Sequence, residues 1–106
     1  MKNKGLGEFE ELVLLAVCIL NGEGYGVAVK REVEAHTGRT ILLGAVHITL
    51  YRLQDKGLLK SEMGGNSEKR GDRRKRLFKI TETGMDMLKT SQDVRQRMWQ
   101  LIPQTN

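Results

Sequence analysis

The side chains best able to do chemistry fall in two groups, and neither is the set a hydrolase or oxidoreductase needs. The first lies in GAVHITLYRLQDKGLL, Gly44 to Leu59. At helical spacing Val46, Thr49, Leu50 and Leu53 form one apolar stripe, which leaves Gly44, His47, Ile48, Tyr51 and Asp55 on the opposite face. Those outward residues are small, flat or hydrogen-bonding, and most sit in the first two turns. Such groups reach base edges when a helix enters a major groove, with Ile48 suited to a thymine methyl. An ordinary core helix with a solvated outer face has the same pattern. Arg52 borders the buried stripe and fits either a phosphate contact or an ion pair inside the domain.

The second group is basic: Lys69, Arg70, Arg73, Arg74, Lys75 and Arg76, interrupted by Asp72. The chain has 18 Lys and Arg against 13 Asp and Glu, so outside residues 69–76 the two signs balance and the whole excess of +5 sits in this segment. A neutral body with its charge gathered in one place points to phosphate as the partner. A merely solvated basic loop is the alternative.

Enzyme chemistry is not supported. There is no Gly-rich phosphate loop opening a helix, no Cys-x-x-Cys, no His-Glu-x-x-His and no nucleophile elbow. Cys18 is the single cysteine, so it has no intramolecular disulfide partner, and with no cationic neighbour it reads as a small buried hydrophobe. His36 and His47 are not at a ligand spacing from it, so no metal and no cofactor are expected. The acids are spread as on solvated helix faces. The longest apolar run, Leu12 to Leu20, is about half of the ~20 residues that span a bilayer, and the N-terminus lacks the zones of a signal peptide. A cytoplasmic protein away from membranes is the expectation.

The elements that must carry these groups follow from periodicity. With 106 residues the chain is one small domain plus at most a tail, and 39% apolar residues with few aromatics suit packed helices. The first helix spans Glu8 to Leu20, with Glu8, Glu10 and Glu11 complementing its dipole. Leu15, Val17 and Ile19 add a second apolar side, so it should be covered on most sides. After the turn Asn21 to Gly24, a second helix runs from about Tyr25 to Thr37, burying Tyr25, Val29 and Val33 and stopping at Gly38. His36 falls in its last turn, near the negative end of the dipole. Arg39 to Leu43 could add a minor strand before the Gly44 helix. After Gly57, Leu59, Ser61 and Met63 alternate with Leu58, Lys60 and Glu62 as a half-buried strand. Arg76 to Thr81 returns with Phe78 and Ile80 inward and Leu77 and Lys79 on the other face. The hairpin thus has a long basic tip, placed as a wing would be along the backbone or in the minor groove.

Thr81 is an N-cap candidate for a last helix from Glu82 to about Ile102, ended by Pro103. Met87, Ser91, Val94, Met98 and Leu101 recur at spacings of four and three, a coiled-coil-like seam longer than one small core requires. Packing against a second copy, giving a two-fold homodimer, is its expected use. Met87, Val94, Met98, Trp99, Leu101 and Ile102 are the candidate interface. Trp99 would anchor that interface.

Four segments, FEELVLLAV (Phe9 to Val17), GYGVAVKREVEAHTG (Gly24 to Gly38), GAVHITLYRLQDKGLL (Gly44 to Leu59) and RKRLFKITETG (Arg74 to Gly84), resemble in order and spacing the PadR family of bacterial winged-helix transcriptional regulators. The resemblance runs from about Leu6 to Leu88, and the length matches the branch with a single C-terminal helix. It implies a mainly α fold with a small β hairpin: a winged helix-turn-helix DNA-binding domain, 1–81, and a C-terminal dimerisation helix, 82–106. It further implies a homodimeric repressor with the third helix in the major groove of a palindromic operator and the wing on the phosphates, and, from relatives with an aromatic on the last helix, a planar hydrophobic effector that would bind near Trp99. His47 stands where the family usually has Tyr, and Leu77-Phe78 where it has a Tyr pair. An imidazole can still donate to a base or phosphate, in a way that changes with pH near neutrality. A winged-helix module that binds protein without reading DNA is the second reading. RNA binding is a third, though the aromatic platform it needs is missing.

Overall fold

The computed structural model describes residues 5–64 and 75–104. In chain order these form α1 (Glu8–Leu20), α2 (Gly26–Thr37), α3 (Leu43–Asp55), β1 (Leu59–Gly64), β2 (Lys75–Ile80) and α4 (Glu82–Gln100). The architecture is the mainly helical one with a single antiparallel hairpin.

Burial on one side of each element produces the core. Val13, Leu14, Ala16 and Val17 of α1 meet Val29 and Val33 of α2, Val46, Leu50 and Leu53 of α3, and Leu58, Leu59, Phe78 and Leu88. The stripe on α3 is the one its spacing predicts. α1 is less enclosed than its composition implies, because α2, α3, β2 and α4, which all pack on it, leave one edge open. Ile19 is 56% exposed, and with Leu12, Leu15, Val33 and His36 it lines a shallow groove between α1 and α2.

Tyr25 caps α2 from outside the helix, and Gly38, at φ 75°, ends it in the left-handed region that favours glycine. Arg39 to Leu42 form no strand. The backbone donors there are taken by side chains instead: Arg39 N donates to the Thr37 hydroxyl at 3.2 Å and Ile41 N to Glu34 Oε2 at 2.9 Å. The Ile41 amide and the Lys30 ammonium hold the Glu34 carboxyl below the usual carboxylate range.

The hairpin pairs Leu59 with Ile80, Ser61 with Phe78 and Met63 with Arg76. Leu77 lies on the face opposite Phe78, as the alternation requires, yet both are buried. The turn before α2 is the reason: Tyr25 bridges to Leu77, and the Gly24 carbonyl accepts the Phe78 N–H at 3.0 Å. A Cβ on Gly24 would stand 2.5 Å from the Phe78 carbonyl oxygen, so the approach needs glycine.

Thr81 caps α4 as its position predicts, accepting the Gly84 N–H at 3.0 Å and donating to the Gly57 carbonyl at 2.8 Å. The helix ends at Gln100, two residues short of Ile102. Two acids depart from the solvated placement expected of them. Glu10 and Glu11 are buried, the first paired with Lys56 at 2.9 Å and the second with Arg95 at 2.8 Å.

Candidate nucleic-acid interface

α3 exposes Gly44, Ala45, His47, Ile48, Tyr51, Arg52 and Asp55, and its turns are tied to three different neighbours along one flank. In the first turn the His47 ring lies on Gly26, where α2 begins. One turn on, the Tyr51 ring meets Phe78 of β2 edge to face, centroids 5.6 Å apart at 79°. In the last turn Gln54 accepts a hydrogen bond from the Ser61 hydroxyl of β1. Residues 47, 51 and 54 are spaced four and three apart, so they stand in one row, and that row joins α3 to the start of α2 and to the hairpin. Ile48 projects between this row and Arg52 and is 61% exposed.

Of the described basic residues of the hairpin, Lys60, Lys75, Arg76 and Lys79, the two that belong to the basic segment, Lys75 and Arg76, are consecutive on β2 and so point to opposite faces of it. Lys75 is exposed, its ammonium 6.0 Å from the centre of the Tyr25 ring. Arg76 is half-buried, and its Nη1 donates to the Ser61 hydroxyl at 3.0 Å, which continues the chain to Gln54 on α3. Arg76 is therefore anchored between wing and helix. Lys69, Arg70, Arg73 and Arg74 lie outside the described residues.

The opposite flank of α3 is occupied by charge within the domain. Burial raises the Glu10 carboxyl, but the Gly7 N–H and the hydrogen bond and charge of Lys56 outweigh it, with the charge of Arg52 adding, so the group is held below the usual carboxylate range. Arg52 is exposed and takes part in this field. Neither of its two sequence readings is singled out: its charge reaches the Glu10 carboxyl, and the residue is exposed.

Three features of this surface were not legible in the pattern of residues: the His47–Gly26 contact, the Gln54–Ser61–Arg76 chain, and Leu42. Leu42 caps α3 without a side-chain hydrogen bond and is 75% exposed, at the lip of the helix beside Gly44. Two adjacent leucines where the helix opens, Leu42 as its cap and Leu43 as its first residue, were the available signal.

The seam on α4 is open to solvent along most of its length. Met87 and Ser91 are half-buried, whereas Val94, Met98, Trp99, Leu101 and Ile102 are exposed, Trp99 by 71%. Leu6, Met87, Val94 and Met98 line a groove of about 640 Å³ beside this helix. Among the described residues no three His, Cys, Asp or Glu cluster as a metal site, and no helix is long and apolar enough to cross a membrane.

A family model described as the transcriptional regulator PadR-like family matches residues 14–90. Among solved structures the chain is similar to a PadR-like transcription factor from Bacteroides fragilis, with a TM-score of 0.72 at 16% identity over 89% of this chain and 85% of that one. It is similar to a PadR family transcriptional regulator from Eggerthella lenta, with a TM-score of 0.68 at 23% identity, covering 88% and 80%. BpsR of Bordetella bronchiseptica, whose DNA binding is regulated by 6-hydroxynicotinic acid, aligns with a TM-score of 0.70 at 20% identity over 94% of this chain and 67% of that one. At these identities the likeness is one of fold. No curated protein sequence gives a significant match.

Proposed function

Since the chain belongs to the PadR-like family of transcriptional regulators, and so to a family of regulators rather than enzymes, we propose that it represses transcription by binding a palindromic operator as a homodimer in the cytoplasm. The observation that carries this reading is the row on α3. It ties the helix to the hairpin, so that Gly44, Ile48 and Tyr51 are held beside Arg76, with Lys75 next to it on the same strand. A rigid pairing of a presented helix with a charged strand is what groove reading beside phosphate contact requires.

In this reading residues 1–81 form the DNA-binding unit and 82–106 the dimerisation helix. Gly44 allows close approach, Ile48 meets a thymine methyl, and His47 and Tyr51 hydrogen-bond to bases or the backbone nearby. Lys69, Arg70, Arg73, Arg74, Lys75 and Arg76 supply sequence-independent affinity, with Arg52 at the margin. Met87, Val94, Met98, Trp99, Leu101 and Ile102 are buried against a second copy, which would remove the exposed apolar seam from water. A planar apolar molecule beside Trp99 would weaken operator binding. The exposure of that indole and the regulation of BpsR by a flat aromatic acid support this part.

The test is anisotropy of labelled DNA from upstream of the protein's own gene at several salt concentrations, with a scrambled duplex as competitor and molar mass measured alongside. Operator-specific binding by a dimer, with a log-log salt slope of about −5 or steeper, is the expected result. Equal competition by the scrambled duplex would overturn sequence-specific reading and turn attention to a protein partner for the apolar lip formed by Leu42 and Ile48. Saturable quenching of Trp99 by a flat aromatic ligand, with operator affinity unchanged, would overturn the effector role.

A further inference from the structure

We propose that Glu11 sets the angle of α4 against the DNA-reading body, and through that angle the spacing of operator half-sites that the dimer accepts; the second half of this rests on the dimeric reading above. α4 is held in two places. Its first turns sit on the body: Thr81 caps the helix, Gly84 is pressed on the Leu58 carbonyl and Leu88 is buried. One such contact region is a pivot, and a pivot does not define a direction.

The second hold is polar and comes from α1. Glu11 Oε2 accepts the Ser91 hydroxyl at 2.9 Å and Gln92 Nε2 at 3.0 Å. Arg95 closes on the same carboxylate, Nη2 to Oε1 at 2.8 Å and Nε to Oε2 at 3.4 Å. Three side chains of α4 thus converge on one carboxylate that is only 8% exposed. Apolar contacts tolerate sliding. A buried carboxylate does not, because its lost hydration is offset only while the charge-assisted donors stay in place. A swing of α4 would strip them off. The other buried acid cannot serve, since Glu10 spends its contacts on Gly7 and Lys56 within the body.

Leverage makes the angle matter. From Gly84 to Gln100 the helix measures ~24 Å, so a swing of about 10° carries its tip about 4 Å. One base-pair step is ~3.4 Å. The exposed apolar residues proposed to join the subunits, Val94, Met98, Trp99 and Leu101, begin at the clamp and continue past it. An angular error at Glu11 would therefore shift each recognition helix by about a base-pair step relative to its mate.

The experiment compares the parent with Glu11→Gln and Arg95→Ala in two measurements. In the first, spin labels on Lys60→Cys and Gln100→Cys in a Cys18→Ala background report the distance from body to helix tip, with labelled chains diluted in unlabelled ones. A narrow distribution in the parent that broadens or shifts in both variants is expected. An unchanged distribution overturns the proposal whatever the oligomeric state. In the second, affinity is measured for operators whose spacer is lengthened or shortened by one base pair, and for a single half-site. The parent should lose about tenfold or more on a one-base-pair change, and the variants no more than about threefold, with half-site affinity unchanged. A parent-like spacing preference in the variants overturns the proposal. A monomeric parent overturns the dimer reading and the spacing consequence with it, while the label distances still decide whether Glu11 orients α4. If Glu11→Gln does not fold, Arg95→Ala, whose side chain is 59% exposed, carries both comparisons.

Discussion

The imidazole of His47 rests on the backbone of Gly26, so closely that a Cβ at position 26 would stand 2.6 Å from its Cε1 and 3.0 Å from its Nε2. The first turn of α2 thereby sets where the ring of α3 can lie. Gly26→Ala should push the ring aside without harming the helix it begins, because alanine is the better helix former. Operator affinity should fall about tenfold, one lost base or phosphate hydrogen bond in a specific complex, while the melting temperature holds. Paired anisotropy and thermal melts would check this, and an unchanged affinity would remove His47 from the interface.

Lys75 and Arg76 should separate charge from geometry. Lys75→Gln should reduce the log-log salt slope by about 1 per subunit and leave operator discrimination alone, since among the described residues the ammonium stands beside the Tyr25 ring and is not joined to α3. Arg76→Gln should reduce the slope similarly and also weaken discrimination, because Arg76 is joined through Ser61 to Gln54 of α3. Salt titrations on operator and scrambled DNA distinguish the two, and identical behaviour would sink the distinction.

Acid sensitivity should trace in part to Glu10. Its carboxyl is lowered in the folded protein, so its contribution is fully present above its ordinary value near 4.5 and lost as pH falls through the lower folded value. Glu10→Gln should therefore lower the melting temperature at neutral pH and narrow its gap from the parent as the solution is acidified below pH 4.5. Melting curves across that range would show a constant gap if the Lys56 pair contributed nothing.

Gly84 sits where α4 begins, and any Cβ there would collide with the Leu58 carbonyl oxygen and crowd Ile80 Cγ1. A backbone carbonyl cannot rotate away as a side chain can. Gly84→Ala should therefore destabilise by about 1–3 kcal/mol despite its higher helix propensity, as overpacking does. Denaturant unfolding gives the number, and a neutral result would mean that α4 can be lifted off the body at little cost.

Local chemistry made much of this protein legible in its residues. The buried stripe of α3, the stop at Gly38, the Thr81 cap and the alternation of β2 each depend on neighbours within about four positions, where periodicity and capping act. So did the gathering of charge before β2, a matter of composition alone. The pattern fell short where an outside partner decided the outcome. Leu77 keeps the face that alternation assigns it yet is buried because Tyr25 bridges to it, and Arg39 to Leu42 form no strand while Thr37 and Glu34 accept the Arg39 and Ile41 amides.

The candidate interface divides the same way. Its membership on α3 followed from one helix's spacing, since a face that is not buried is presented. Its rigidity did not, because His47–Gly26, Tyr51–Phe78 and Gln54–Ser61–Arg76 are contacts between elements. Glu10 and Glu11 look alike in the sequence, two acids in the first turn of a helix, each well explained by the dipole. Tertiary packing gave them different work: Glu10 joins Lys56, 46 residues on, and Glu11 joins Arg95, 84 residues on. A sequence records which side chains prefer water at each turn, but the partner that makes burial of a charge tolerable is supplied only when distant turns are brought together.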